Sequence, residues 1–347
     1  MKIHKRTLSG TLVLAAVVIL AGILVASFAE PYHQRLFFTF LVNLIVVVGL
    51  QVFMGNSDIT HFGHVGFMGI SAYVVAILAT PIAIKRTALA TAPFGLNTIQ
   101  ISPVVAVIVA VLVTLAIASL VGVMMVRQNG VPATIATMAF LVVVHVVLVN
   151  WVDLTRGPRA FYGIPVAATL SWAVAAAVFA IVAARVFRDS KWGLQLRAAS
   201  EDLAAASAVG VRIRKLRFAA WMLSAFLMAI AGALFALFVG TISPKSFYFD
   251  LTFLTLAMLI LGGMHSVTGS VLGCVMVTVG VELMRYLESG PTIAGMELPD
   301  MFGLTGFFLG LIIVLSMTFR PSGLMGSNEV DDVWYRRKVR KTALEVA

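Results

Sequence analysis

Residues Lys191 to Arg217 read KWGLQLRAASEDLAAASAVGVRIRKLR. This polar, basic stretch lies between two long apolar runs, and the way it interrupts them decides the fold. Ser200 has the side chain of a helix N-cap, Glu201 and Asp202 set negative charge against the positive helix end, and Gly210 is a natural C′ stop. The pattern predicts a helix of about nine residues. Leu203, Ala206 and Val209 or Gly210 fall on one of its faces. Arg212, Arg214, Lys215 and Arg217 then lead into the next apolar run. A water-compatible helix with a defined start and stop, set between membrane-length segments, suits docking to a partner.

The surrounding chain confirms the setting. Its 347 residues are 61% hydrophobic and 12% charged, with a mean hydropathy of +1.02. Soluble domains carry roughly 25% charged residues, so a soluble globular fold is excluded. A helical crossing takes about 20 apolar residues, and the alternating segments of a membrane barrel are absent. The fold class is therefore all-α and polytopic. Ten crossings are expected, at about 8–29, 36–54, 64–84, 101–126, 131–152, 166–186, 218–240, 251–264, 267–287 and 301–319. The first follows MKIHKR like a secretory signal, but its apolar run is about twice the usual length, so it reads as an uncleaved span.

Charge sets the orientation. An even number of crossings puts both termini on one side, and calling that side cytoplasmic leaves roughly 18 of the 25 Lys and Arg inside. The expectation is N-in and C-in. One transmembrane unit covers 1–325, with its cytoplasmic loop at 187–217, and a basic cytoplasmic tail covers 326–347. The net charge of +10 is explained by this topology rather than by nucleic acid. The single Cys274 lies in an apolar run and can form no intramolecular disulfide.

Two crossings look broken. GNSDITHFG (55–63) is too polar to continue a lipid-facing helix. The run 251–264 is only about 21 Å long as a helix, short of a core of about 30 Å, and Gly262, Gly263, Gly269 and Gly273 follow closely. Non-helical backbone at membrane depth needs protein or a water-filled cavity around it, and paired breaks point to a transport path. Asn56, Asp58, His61, Gly63, His64, Gly66, Gly262, Gly263, His265 and Gly269 are the path candidates. Crossings one to four and seven to ten share order and direction, a register that hints at a repeat.

Ion-coupled carriers place ionisable groups within their spans. Here those groups are few. Glu282 and Arg285 are three apart and can neutralise each other on one helix face. His145 reads as a hydrogen-bonded packing residue, and His61, His64 and His265 could bond carbonyls freed at the breaks. A metal site at these histidines would need tighter clustering than the sequence can show. No nucleophile elbow, zinc-ligand pair or phosphate-cradling loop is present. The acidic pairs Glu201/Asp202 and Asp331/Asp332 lie in water-facing segments. Energy for transport would have to enter from outside.

Leu196 to Ala236, LRAASEDLAAASAVGVRIRKLRFAAWMLSAFLMAIAGALFA, resembles the cytoplasmic loop and following span of the permease subunits of bacterial ABC importers for branched-chain amino acids. AAASAVG (Ala204 to Gly210) is similar to the Glu-Ala-Ala…Gly loop of ABC importers, with Ala204 where many have Glu. HFGHVGFMGISAY (from His61), ISPKSF (from Ile242) and LGGMHSVTGSVLG (from Leu261) extend the resemblance. TRGPRAFYGIP (from Thr155) looks like the longer, M-type subunit, with Arg156 and Pro158 as departures. His61, Ser71 and Met264-His265 also depart from the family pattern.

The resemblance implies a non-catalytic inner-membrane permease, multi-pass, with a coupling helix formed by Ser200, Glu201, Asp202, Leu203, Ala204, Ala205, Ala206 and Gly210. It implies a second permease subunit, two cytoplasmic ATPase subunits that bind the ATP, and a periplasmic substrate-binding protein. The permease itself would carry no cofactor. Arg156, Arg159, Tyr162 and Gly163 would face the binding protein. The alternatives are a permease for urea or short amides and, from another class, a stand-alone secondary carrier.

Overall fold

The computed structural model describes residues 5–89, 91–289, 292–293, 296–297, 303–320 and 322–331. Prolines at the first helical position, where an N–H is unpaired anyway, open α2 (Pro31–Ser57) and α5 (Pro103–Met125). The helices run in the order α1 (Lys5–Phe28), α2, α3 (His64–Ala79), α4 (Ile82–Ala88), α5, α6 (Gly130–Asn150), α7 (Val152–Thr155) and α8 (Leu170–Asp189). Then come α9 (Lys191–Glu201), α10 (Leu203–Ala208), α11 (Ile213–Val239), α12 (Phe249–Gly262), α13 (Val267–Glu288) and α14 (Leu304–Phe319). Strands are minimal. β1 (Phe161–Tyr162) pairs antiparallel with β2 (Thr241–Ile242), and β3 (Thr292–Ile293) with β4 (Met296–Glu297).

Among the described residues, eight helical segments are long and apolar enough to cross a membrane, or nine if one bent pair is a single span. Ten were expected. The third crossing does not run straight through 84. It bends by 113° between α3 and α4, because Pro81 supplies no N–H and holds Thr80 extended (ψ 137°). The last, α14, has 16 described residues, fewer than the roughly 20 of a full crossing. The second helix, by contrast, outruns its expected end at 54. Asn56 and Ser57 are buried and return their side-chain donors to the carbonyls of Val52 (2.9 Å) and Phe53 (2.6 Å). A polar helix end survives there because protein, not lipid, surrounds it.

Packing centres on α11, which lies against α2, α3 and α5, while α8 joins α2 to α1. The Trp221 indole donates to the Ala118 carbonyl at 2.9 Å, and its ring fills the space left by Gly122. Phe38 stacks on Phe238 with centroids 3.5 Å apart. The pair α12 and α13 closes the other flank against α2 and α14. Lipid tails are as apolar as Leu, so helices in a bilayer associate chiefly by close packing, and small residues permit it. Gly262, Gly269 and Gly273 serve that purpose. A Cβ on Gly262 would fall on the Gly269 carbonyl oxygen, and one on Gly273 on the Met258 carbonyl.

Replacing Gly262 by Val should therefore destabilise the chain by at least about 1–3 kcal/mol, the usual range for overpacking. Gly310, whose added Cβ would meet nothing within 4 Å, is the control, and Gly310→Ala should leave the melting temperature in detergent unchanged.

Candidate functional site

The loop that opened the sequence reading is two helices rather than one. α9 starts at Ser190, whose Oγ accepts from the N–H of Trp192 and Gly193, and it runs on through Ser200 and Glu201. Ser200 is therefore not a cap, since its hydroxyl turns back to donate to the Arg197 carbonyl at 2.7 Å. The N-cap of α10 is Asp202, which accepts from Ala204 N–H at 2.8 Å and Ala205 N–H at 3.0 Å. Both residues are capping types, but only Asp202 is extended (φ −147°, ψ 105°), as an N-cap must be.

The far end of α10 stops as expected. Gly210 has φ +82°, and Gly210 N–H and Val211 N–H donate to the carbonyls of Ser207 and Ala206, each at 3.0 Å, which closes a Schellman turn. Ala206 faces inward. Leu203 is partly exposed, and Val209 is 80% exposed on the rim. Ala204 and Ala205 present only methyl groups to solvent.

From α9 the chain leads back to the end of α8 and a buried ion cluster. Glu329, 1% exposed, lies 3.0 Å from Arg185 Nη1 and 3.2 Å from Arg188 Nε. The Arg185 contact is an ion pair without hydrogen-bond geometry. Glu329 also accepts from Val267 N–H (2.9 Å), Thr268 N–H (3.0 Å) and the Thr268 hydroxyl, so it caps α13 as a carboxylate at a helix N-terminus. Arg188 donates onward to the carbonyls of His265 and Ser327, both at 3.0 Å. Arg185 binds Asp331 at 2.6 Å. The expectation that Asp331 is simply water-facing is thus corrected, while Asp332 and the basic tail beyond it lie outside the described residues. Residues 324–325 also donate to the Leu261 and Gly262 carbonyls. The segment 322–331 therefore belongs to the packed body.

The two expected breaks meet beside this cluster. A Cβ on Gly55 would fall on the Met264 carbonyl, and the exposed Asp58 carboxylate lies 3.9 Å from His265 Nε2. Asp58 ends α2 at φ 53° and Gly263 ends α12 at φ 112°. Gly269 packs α13 against the end of α12.

The remaining path candidates are Asn56 of α2 and the residues that lead into α3. His64 is held by the His61 carbonyl at 3.0 Å and the Thr255 hydroxyl at 2.8 Å. His61 sits 4.6 Å from the Trp221 ring, and its Nδ1 has no partner among the described residues. Gly63 and Gly66 pack under Phe140 of α6. Asn56 is wholly buried, and so is Gln51, a residue passed over in the sequence, with neither amide atom paired among the described residues.

At the opposite end, β1 and β2 tie the external-loop candidates to the residues after α11. Arg156 (φ 67°) donates to the Ala160 carbonyl at 2.7 Å and lies over the Tyr162 ring at 4.3 Å. Arg159 is exposed, and Gly163 packs on Ile84. His145 stacks on Tyr248 at 3.9 Å, and its Nδ1 has no hydrogen-bond partner among the described residues. It is a packing residue by ring contact rather than through a bond at that nitrogen. Glu282 and Arg285 form the expected ion pair at 3.0 Å.

Residues 32–317 match the family model described as branched-chain amino acid transport system / permease component. The chain belongs to that family. Within it, the chain is 26% identical to the high-affinity branched-chain amino acid transport system permease protein LivM of Escherichia coli (strain K12), over 82% of this chain and 68% of that protein. The LivM protein of Salmonella typhimurium is 27% identical over the same shares. The LivH permease protein of Salmonella typhimurium is 31% identical over 44% of this chain and 46% of that protein. No solved structure matches the chain. Membership makes it a non-catalytic permease subunit and, with its apolar helices, a multi-pass inner-membrane protein. Among the described residues no cluster of three metal-ligating side chains is present.

Sequence reasoning passed over Glu329. The available signal was an acidic group, Glu329 with Asp331 and Asp332, inside an otherwise basic end. Burial raises the Glu329 pKa, but Arg188 and Arg185, with Thr268, hold it below the ordinary 4.5. A depressed carboxylate contributes stability that is complete above the unfolded value and is lost as pH falls through the folded one. Melting temperature should therefore be level down to about pH 5 and then fall. Glu329→Gln should remove that component of the fall and cost about 3–5 kcal/mol at neutral pH by leaving two buried arginines short of a partner.

Proposed function

We propose that this permease subunit moves branched-chain or related apolar amino acids inward, paired with a second permease and driven by two ATPase subunits that press on α10 from the cytoplasm. The observation that carries the reading is α10 itself. A six-residue helix is too short to be stable alone, yet it is capped at both ends and offers Leu203 and Val209 to solvent. A connector needs no such face; a docking element does. On this reading the ends of α8 and α11 that flank α9 and α10 are cytoplasmic, both termini are on that side, and the β1–β2 end with Arg156 and Tyr162 receives a periplasmic binding protein. ATP is bound by the partners alone.

The Gln51 amide and the Asn56 oxygen, buried without a partner among the described residues, support a path along α2. Buried polar atoms without partners are rare and destabilising, and a water or a solute's polar groups would satisfy them in another conformational state.

Two experiments test these parts. Val209→Asp should lower ATP-dependent uptake by tenfold or more in proteoliposomes holding all subunits, with melting temperature and insertion unchanged. Full uptake by that variant, or uptake by the chain alone down an ion gradient, would overturn the docking role. Gln51→Leu should raise the melting temperature by removing an unsatisfied amide, an effect of about 1–3 kcal/mol, while reducing uptake. Unchanged uptake would take Gln51 out of the path.

A further inference from the structure

The N-terminus of α11 is electrostatically wrong as it stands. A helix start carries partial positive charge and favours anions, yet α11 opens with Arg212, Arg214, Lys215 and Arg217, no acidic residue in its first turn and no side-chain cap. Arg127 approaches from the end of α5, and the five cations border a groove of about 490 Å³ between that end, α10 and α11. Arg212, Arg214, Lys215 and Arg127 are exposed, and among the described residues no carboxylate ion-pairs with them. The nearby Asp202 is engaged in capping α10. Arg217 is 5% exposed and forms part of the groove wall. Its Nη1 donates to Asn129 Oδ1 and the Gln128 carbonyl, while its Nε has no partner among the described residues.

We propose that this groove binds the phosphodiester headgroup of an anionic phospholipid. The anion would neutralise the crowded cations, pair with the unpartnered Nε of Arg217 in the groove wall, and lie at the positive end of the α11 dipole. On α5 the residues that share a helix face with Arg127 are apolar. Leu120, Val123 and Met124 on α5 are all more than half exposed, at 71%, 51% and 70%, one turn or two below Arg127. Acyl chains lie naturally on such a face. A free phosphate or an acidic protein segment has no use for it, which is why a lipid is the occupant named. The inference needs α5 and α11 to span the bilayer, but it does not depend on which solute crosses or which side this end faces.

The test uses the full-length chain in a neutral detergent. Short-chain phosphatidylglycerol should raise the melting temperature with saturation, and phosphatidylcholine of the same chain length should not. Added salt should weaken the effect, because basic clusters hold anionic lipid through screened charge. The variant with Arg212→Gln, Arg214→Gln and Lys215→Gln should melt like the parent without lipid, since these side chains are exposed. Its apparent affinity for phosphatidylglycerol should drop by about tenfold or more, and Arg214→Gln alone should lose part of it.

Equal stabilisation by phosphatidylcholine would overturn the proposal, as would undiminished affinity in the triple variant. Inorganic phosphate binding as tightly as the lipid would reassign the groove to a soluble anion. If the triple variant kept lipid but lost co-purification of its ATPase subunits, the groove would be a protein contact and the proposal would fall.

Discussion

A single carboxylate, Glu329, holds together parts of the chain that sequence keeps far apart. Moving a charge of this kind out of water costs several kcal/mol, which two arginines and good hydrogen bonds must offset. Here Arg185 and Arg188 come from the end of α8, and two backbone N–H groups and a hydroxyl come from the start of α13. Neither set alone would suffice. Arg188 also grips the His265 carbonyl, so the turn between α12 and α13 is fixed from the α8 side. Arg185 reaches Thr11 of α1 at 3.4 Å as well. The arginines cannot leave without stranding the carboxylate, and the carboxylate cannot leave without exposing the helix N-terminus.

That junction lets the rest of the bundle pack as it does. With the α12–α13 turn fixed, Gly262, Gly269 and Gly273 bring the two backbones into direct contact, and Gly55 brings α2 onto the same turn through Met264. None of these contacts is driven by hydrophobic transfer, since lipid would cover the same surfaces equally well. They depend on shape, and shape is preserved only while the turn stays in place. Polar chemistry at one end thus governs apolar packing along the helices.

Much of this was legible and some was not. Apolar runs separated by loops give the long helices but not the short α4, α7, α9 and α10, because a bilayer demands long segments whose backbone is satisfied internally. The Glu282–Arg285 pair and the Gly210 stop are local patterns and could be read directly. Ser200 against Asp202 could not be resolved in the same way. Both side chains cap well, and the choice fell to α9, which kept Ser200 helical by extending from its own cap at Ser190. The end of α2 was misjudged because Asn56 and Ser57 look unfit for lipid, and their satisfaction by Val52 and Phe53 appears only once neighbours bury them. Glu329 was the least legible, for its partners Arg185 and Thr268 are set by the tertiary fold and no sequence spacing announces them.

The same geometry bears on how force would travel on the proposed mechanism. α10 has two exits. One runs through the Gly210 turn into α11, the helix at the centre of the bundle. The other runs through Asp202 into α9, whose cap Ser190 directly follows Asp189, and Arg188 binds Asp189 at 3.0 Å while holding Glu329. Both exits are stiffened by caps rather than by glycine-rich linkers. On that mechanism a push on α10 would reach α11 and, through Arg188, the α12–α13 turn where the Asp58 and His265 ends of the two breaks meet. On the same mechanism the loop would need little length, because both of its anchors are already fixed to the elements that would move.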